Sequence, residues 1–112
     1  MDCIFCKIAN KGIPSNVVYE DEKIIAFNDL DPQAPVHFLV IPKYHLKCTD
    51  EINALNCDII GHIFAVIPQI AKKLGLENGY RIVNNCGADG GQTVSHLHFH
   101  VLGGRLLAWP PG

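Results

Sequence analysis

Nowhere in this sequence do apolar residues run on for the ~20 positions that a membrane span requires, because charge, glycine or proline interrupts every stretch first. No membrane role is expected. An apolar stretch of signal-peptide length is missing from the N-terminus as well, so the reading is an intracellular, cytoplasmic protein. An excess of one charge is also lacking: 9 Lys and Arg stand against 11 Asp and Glu, for a net charge of -2 and a pI near 6.3. Such a balance gives no field that gathers polyanions, so nucleic acid is not an expected partner, and any phosphate must be held by individually placed donors. The five cysteines are an odd number without a secretion signal, which argues for thiols or a metal rather than a disulfide framework. Cys48, Cys57 and Cys86 read as ordinary thiols. Repeats, linkers and low-complexity stretches are absent. What remains, 112 residues of which 48% are hydrophobic, suffices for one core and not two. Residues 1–112 therefore read as a single domain that must hold the whole site.

The first half reads as short strands: Asn16 to Glu20, Ile24 to Phe27 and His37 to Ile41, with a hairpin break at Asp21-Glu22-Lys23. Asp31-Pro32-Gln33-Ala34-Pro35 cannot continue a ladder, since its two prolines have no amide donor, and becomes a rigid loop. From Cys57 to Leu74 the apolar residues Ile59, Ile60, Ile63, Phe64, Ile67, Ile70, Ala71 and Leu74 fall at helical spacing, with Lys72, Lys73 and Gly75 at the C-terminal end. Pro68 lies inside this pattern and, by removing one backbone hydrogen bond, predicts a bend near residue 64 or a local irregularity. Tyr80 to Asn84 and Ser95 to Leu102 complete the strands. The expected fold class is α+β: an antiparallel sheet of about five strands covered on one face by one long helix, with a short N-terminal helix.

In an extended segment His96, His98 and His100 point one way while Leu97, Phe99 and Val101 point the other, into the core. A polar strand face that happens to use histidine is the plain explanation. Two functional ones compete with it, a metal site of three imidazoles and a nucleophilic imidazole that attacks phosphorus. The preceding segment, Asn84 to Thr93, favours the second, because glycines let backbone N–H groups cradle a phosphate oxygen. Taken alone, Gly90-Gly91 would simply be a tight hairpin. Gln92 and Thr93 add side-chain donors for non-bridging oxygens. A neutral imidazole is a competent nucleophile, with an unperturbed pKa near ~6.5. His98 is central and best placed to attack, provided that a backbone carbonyl or another histidine fixes its tautomer. His100 is placed to donate to the leaving group.

The run His96-Leu97-His98-Phe99-His100-Val101-Leu102 resembles the signature of the histidine triad family, and the likeness extends over nearly the whole chain. It includes Ile4-Phe5-Cys6-Lys7-Ile8, the loop from Asp31 to Pro35, His37 to Lys43, Asp89-Gly90-Gly91-Gln92 and the terminal Trp109-Pro110-Pro111-Gly112. These features resemble the nucleoside phosphoramidase, Hint-like branch more than the dinucleoside polyphosphate hydrolases. The resemblance implies that His98 is the nucleophile, that His100 contacts the phosphate, and that His37 supports the tautomer of the central histidine. It implies that Asp29 takes the ribose hydroxyls, that Phe5, Phe27, Asn28 and Leu30 surround the base, and that Asn85, Gly91 and Thr93 lie near the phosphate. Read without the resemblance, Asp29 would be a turn residue and Phe5 and Phe27 core. Thr93 stands where the branch commonly has serine, which keeps the hydroxyl. The resemblance also implies a homodimer that continues the sheet across two protomers, with the Trp109 tail reaching the neighbour's site. The apolar end from Leu106 to Pro111 fits burial at an interface.

Cys3-x-x-Cys6 is half of a tetrahedral zinc site, for which His45 and His96 are the candidate remaining ligands, as in some relatives. In that case His96 anchors structure while His98 does chemistry; no cofactor is expected for catalysis itself. The plain alternative is a chance pair of small apolar residues on the first helical turn. His62 has no such partner and is expected on the helix surface. Two classes of function follow. One is a hydrolase of purine nucleoside phosphoramidates acting through a nucleotidyl-histidine, with dinucleoside polyphosphate cleavage as the runner-up. The other is a nucleotide- or zinc-binding regulatory protein without useful turnover.

Overall fold

A computed structural model describes residues 3–112. The chain runs α1 (Ile4–Ala9), β1 (Val17–Glu20), β2 (Ile24–Asn28), β3 (Val36–Pro42), a 3-10 turn (Thr49–Glu51), α2 (Cys57–Lys73), β4 (Tyr80–Val83) and β5 (Phe99–Gly103). The strands form one antiparallel sheet in the order β1-β2-β3-β5-β4. The expected α+β class, with five strands, one long helix and a short first helix, is what the chain adopts. Among the described residues, no helix is long and apolar enough to cross a membrane.

The helix does not have the sheet to itself. β2 and the centre of β3 are buried residue after residue, because both faces are covered. On one face Ile24, Ala26, Phe38, Val40, Phe99 and Val101 pack against Ile63, Val66, Ile67 and Ile70 of α2. On the other, Ile25, Phe27, Leu39 and Ile41 pack against Phe5, Ile8 and Ala9 of α1. The long helix thus covers one face of the sheet as expected, and the short first helix covers the other. The signal was present in the unbroken apolar run Ile24-Ile25-Ala26-Phe27, which reads as a strand buried on both sides rather than an alternating one.

α2 runs as an unbroken helix through Pro68. Its buried stripe is narrower than the apolar spacing suggests: Phe64 and Leu74 remain exposed, while Val66 joins the core. Phe64 nevertheless meets the Phe99 ring edge to face, with centroids 5.4 Å apart. His62, expected without a partner, pairs across the fold with Asp21 Oδ2 at 2.6 Å, tying α2 to the β1–β2 turn.

The last strand starts later than Ser95. Pairing to β3 begins at Val40↔Phe99 and to β4 at Val83↔His100, so the residues before Phe99 have no ladder to join. That segment is instead held by single bonds, Leu97 N–H donating to Leu46 O at 2.7 Å and Asn84 Nδ2 to His98 O at 2.8 Å. The alternation still operates. Leu97 enters the α2 core, while His96 and His98 turn toward Phe5 of α1.

Candidate functional site

Four histidines gather on the α1 side of the sheet, three from the run before and within β5 and His37 from β3. They do not form one open surface, as the strand alternation suggested. His96 is wholly buried and His98 nearly so, while His100 is partly exposed. Each has a different hydrogen-bond partner, and these partners put the proton of His98 on Nδ1 and those of the other three rings on Nε2.

His96 Nε2 lies 2.9 Å from Pro42 O. A carbonyl only accepts, so Nε2 carries the proton and Nδ1 keeps its lone pair. That lone pair faces Cys3 Sγ at 3.3 Å, Cys6 Sγ at 3.5 Å and His45 Nδ1 at 3.0 Å, and Cys6 Sγ is 3.2 Å from His45 Nδ1. All four donor atoms lie within 4.8 Å of one another. With zinc bonds of about 2.3 Å to sulfur and about 2.0 Å to nitrogen, tetrahedral edges come to roughly 3.3 to 3.8 Å, close to these separations. Burial, then Cys3, pushes the Cys6 thiol up, so thiolates here need a cation among them. The donor set and its backbone-fixed histidine fit a structural zinc ion. Cys3 also caps α1, its sulfur accepting from Cys6 N–H at 3.3 Å, so the pair sits on the first helical turn for a local reason as well.

His98 Nδ1 lies 2.7 Å from the carbonyl of His96 and therefore carries the proton, leaving the lone pair of the neutral ring on Nε2. No fully buried side-chain nitrogen or oxygen among the described residues lacks a partner. His98 Nε2 has no partner among them, so it keeps an opening to solvent. The Phe5 ring packs edge-on against this imidazole at 5.1 Å and fixes its plane.

The role that the resemblance gave to His37 is corrected here. It does not set the tautomer of His98, a task taken by the His96 carbonyl. Gln33 N–H donates to His37 Nδ1 at 3.1 Å, which puts the ring proton on Nε2, 2.9 Å from His100 Nδ1. His100 Nδ1 then accepts, and the His100 proton must sit on Nε2. Burial, helped by the neighbouring His98 and His37, lowers the His100 pKa to about 4 against the opposing pull of Asp29. Burial likewise lowers His37, opposed by Asp29 and Asp31. Near neutral pH both rings are uncharged. The result is a lone pair on His98 Nε2 beside an N–H on His100 Nε2, in rings whose centroids are 5.1 Å apart.

The remaining expected residues divide. Asp29 Oδ1 accepts from Asp31 N–H at 2.8 Å in a side-chain-closed turn, while Oδ2 lies 3.4 Å from His37 Nε2 and 3.9 Å from His100 Nδ1. The turn reading is thus correct without removing Asp29 from the site. Phe5 and Phe27, expected as walls around a base, are buried and stacked edge to face at 5.6 Å. Asn28 is half-buried and Leu30 is 98% exposed. Asn85 is half-buried, and Gly91 and Thr93 are exposed on the loop before the histidines. Gln92 is corrected. Its amide is consumed by the loop: Nε2 donates to Lys47 O at 2.7 Å and Val94 O at 2.9 Å, and Oε1 accepts from Gly87 N–H at 3.0 Å. It braces the glycine-rich turn rather than offering it a donor for phosphate. Gly91 has a φ of +75°, which requires glycine there.

Gln33, through its backbone N–H, is the participant that residue-type reasoning missed, because a main-chain donor leaves no signature in side-chain identity. Trp109 is 79% exposed, with the Arg81 guanidinium 5.9 Å from its ring centre.

A family model described as HIT domain matches residues 10–107. The chain is 52% identical over 111 residues to an uncharacterized HIT-like protein of Synechococcus elongatus, covering 99% of this chain and 97% of that protein. It is 51% identical to a 14 kDa zinc-binding protein of Zea mays, over 97% of this chain and 87% of the relative. Among solved structures, a HIT family hydrolase from Legionella pneumophila Philadelphia 1 superposes with a TM-score of 0.97 at 46% identity, covering 99% of this chain and 100% of that one.

Proposed function

The chain belongs to the HIT family, and from that premise we propose that it is a nucleotide hydrolase of the Hint-like branch, cleaving the P–N bond of purine nucleoside phosphoramidates. The observation that carries this reading is the pair of opposite tautomers: a lone pair on His98 Nε2 next to a proton on His100 Nε2. Attack requires the first, and a hydrogen bond to the departing nitrogen requires the second.

In the proposed sequence His98 Nε2 attacks phosphorus, a P–N bond to His98 forms, and the bond to the substrate amine breaks. The amine takes its proton from a water molecule as it leaves, hydrogen-bonded by the His100 Nε2–H, and the His96 carbonyl stabilises the imidazolium character that develops on His98 through its Nδ1–H. The hydroxide so formed attacks phosphorus, the bond to His98 breaks, AMP is released, and His98 returns to its neutral ring. His37 and Asp29 act behind His100 to hold its orientation. Backbone N–H groups around Gly91, with Asn85 and Thr93, take the non-bridging oxygens, and Asn28, Asp29 and Leu30 hold the nucleoside.

A zinc ion held by Cys3, Cys6, His45 and His96 fits beside this machinery as a structural group that ties α1 to the histidine segment; the likeness to a zinc-binding protein of Zea mays supports it. We also propose a homodimer built on β4, whose outer edge is unpaired among the described residues. Beside that edge, a groove of about 720 Å³ lies between Gly79-Tyr80-Arg81 and Leu106-Leu107.

The test is hydrolysis of an adenosine phosphoramidate by the wild type and by His98→Ala, with mass spectrometry of the quenched wild type. Expected are turnover and an AMP adduct in the wild type alone, while the variant still binds AMP. No turnover by either protein despite AMP binding would overturn the hydrolase reading and leave a nucleotide-binding protein.

A further inference from the structure

Cys3 and Cys6 belong to the four-donor cluster, and Cys57 is exposed at the first turn of α2. The other two cysteines, distant in sequence, meet in space. Cys48 precedes the 3-10 turn and Cys86 opens the glycine-rich loop, yet their Sγ atoms and a carboxylate oxygen of Asp50 all lie within 4.8 Å of one another. Both thiols are free and half-buried. Two sulfurs and one carboxylate from an exposed residue fall one donor short of a closed tetrahedral set. A neighbouring thiol pair without that fourth donor has another chemistry open to it, which is to cross-link.

We propose that Cys48 and Cys86 form a redox pair, closing to a disulfide under a peroxide oxidant and thereby displacing the glycine-rich loop. In the first step one thiolate attacks the peroxide: an S–O bond forms, the O–O bond breaks, and the hydroxide that leaves takes up a proton as water, giving a sulfenic acid. The second thiolate then attacks that sulfur: the S–S bond forms, the S–O bond breaks, and water departs. Two thiols lose two electrons in total, and hydrogen peroxide is reduced to two waters. The Asp50 N–H lowers the Cys48 thiol, but burial, Cys86 and the Asp50 charge outweigh it and raise the thiol overall. A raised thiol gives a small thiolate fraction, so the pair responds to sustained oxidant rather than traces.

The loop cannot ignore such a bond. A disulfide holds its sulfurs about 2.05 Å apart, so closure draws Cys86 and the Cys48 corner together. Gly90 is packed on the Cys86 backbone so closely that a Cβ there would fall 2.4 Å from Cys86 O. Displacement of Cys86 therefore reaches Gly90 and Gly91. On the other side Asn84 touches the Thr49 hydroxyl and donates to the His98 carbonyl at 2.8 Å. The same movement is transmitted to the histidine segment.

The experiment exposes the full-length, zinc-loaded chain to hydrogen peroxide, alkylates the remaining thiols, and maps peptides by mass spectrometry beside Cys48→Ser and Cys86→Ser. The expected result is loss of two alkylatable thiols, a cross-linked peptide joining 48 to 86, reversal by dithiothreitol, and no such cross-link in either variant. Turnover should fall several-fold on oxidation of the wild type and hold in Cys86→Ser; this arm alone rests on the hydrolase reading, and the peptide map decides the pair without it. Alkylation of both Cys48 and Cys86 after oxidation, or a cross-link confined to Cys3 and Cys6, would overturn the redox pair. A 48 to 86 disulfide that leaves turnover unchanged would overturn its effect on the loop.

Discussion

At the scale of single residues, three histidines on alternate positions take their different chemical faces from what nearby main-chain groups accept or donate. Pro42 O, His96 O and Gln33 N–H are all main-chain groups, and through them His96 presents Nδ1 to sulfur, His98 presents a bare Nε2, and His100 presents an N–H. The residues that would matter were legible in the spacing His96, His98, His100. The tautomers were not, since two of the three rest on the path of β3 and its preceding loop past the histidine segment. The same burial sets a pH dependence. His100 and His37 titrate below the ordinary histidine range when folded, His100 at about 4, whereas an unfolded histidine titrates near ~6.5. Between these values the unfolded chain binds more protons, so stability is complete above about pH 6.5 and falls as pH drops toward 4. Asp21, held below the usual carboxylate range by hydrogen bonds that outweigh its burial, loses its contribution only at still lower pH. Urea midpoints should therefore fall from pH 7 to about pH 5 in the wild type, and fall less in His100→Asn. Equal slopes in the two proteins would refute a buried neutral His100.

At the scale of elements, the weakest part on paper is α1, six residues long and far below the length at which a helix holds by itself. It is kept by packing on Ile25, Phe27, Leu39 and Ile41, and by the cluster through which its Cys3 and Cys6 meet His45 and His96. Cys3-x-x-Cys6 could be read from sequence as half a site, and His45 and His96 named as the other half. What could not be read was the second service of α1, which props His98 through Phe5 at 5.1 Å. The glycine-rich loop shows the opposite failure. Gln92 looked like a donor for phosphate because its residue type allows it, but Lys47 O and Val94 O, groups that only the folded chain brings near, claim both of its amide donors. If zinc fills the cluster, prolonged chelation should lower the Tm by several degrees, about 4–8 °C per kcal/mol lost for a domain near this size. Turnover should decline with it as Phe5 loosens. Cys6→Ala should already sit at the lower Tm and show no further response to the chelator. A wild type that holds stoichiometric zinc but keeps its Tm on losing it would separate metal binding from the stability of α1.

At the scale of the whole molecule, the five-stranded sheet ends in two exposed edges, β1 and β4, which are not alike. β1 is interrupted by a register shift between Val17 and Tyr19 and flanked by Lys11, Glu20 and Lys43, devices that discourage further pairing. β4 has a regular register against β5 and no such charge cluster, and the apolar tail lies beside it with Leu106 94% exposed and Trp109 79% exposed. A regular free edge next to uncovered apolar surface is poorly suited to a monomer. Pairing β4 with the same strand of a second copy would close the edge and satisfy two-fold symmetry in a single contact. The apolar tail was already conspicuous in the sequence, whereas the contrast between the two edges becomes visible only once the strand order is known. Light scattering should therefore give twice the chain mass for the wild type. Ile82 is a core-packed β4 residue, so a variant that attacks the edge must spare it. Tyr80→Pro, which removes one amide donor near the end of β4, should shift the protein toward monomer. Removal of residues 106–112 should instead lower turnover more than it weakens the dimer, as expected if the tail serves the neighbouring site. A wild-type mass of one chain at micromolar concentration would refute pairing through β4, and the tail would then have to act, if at all, on its own protomer.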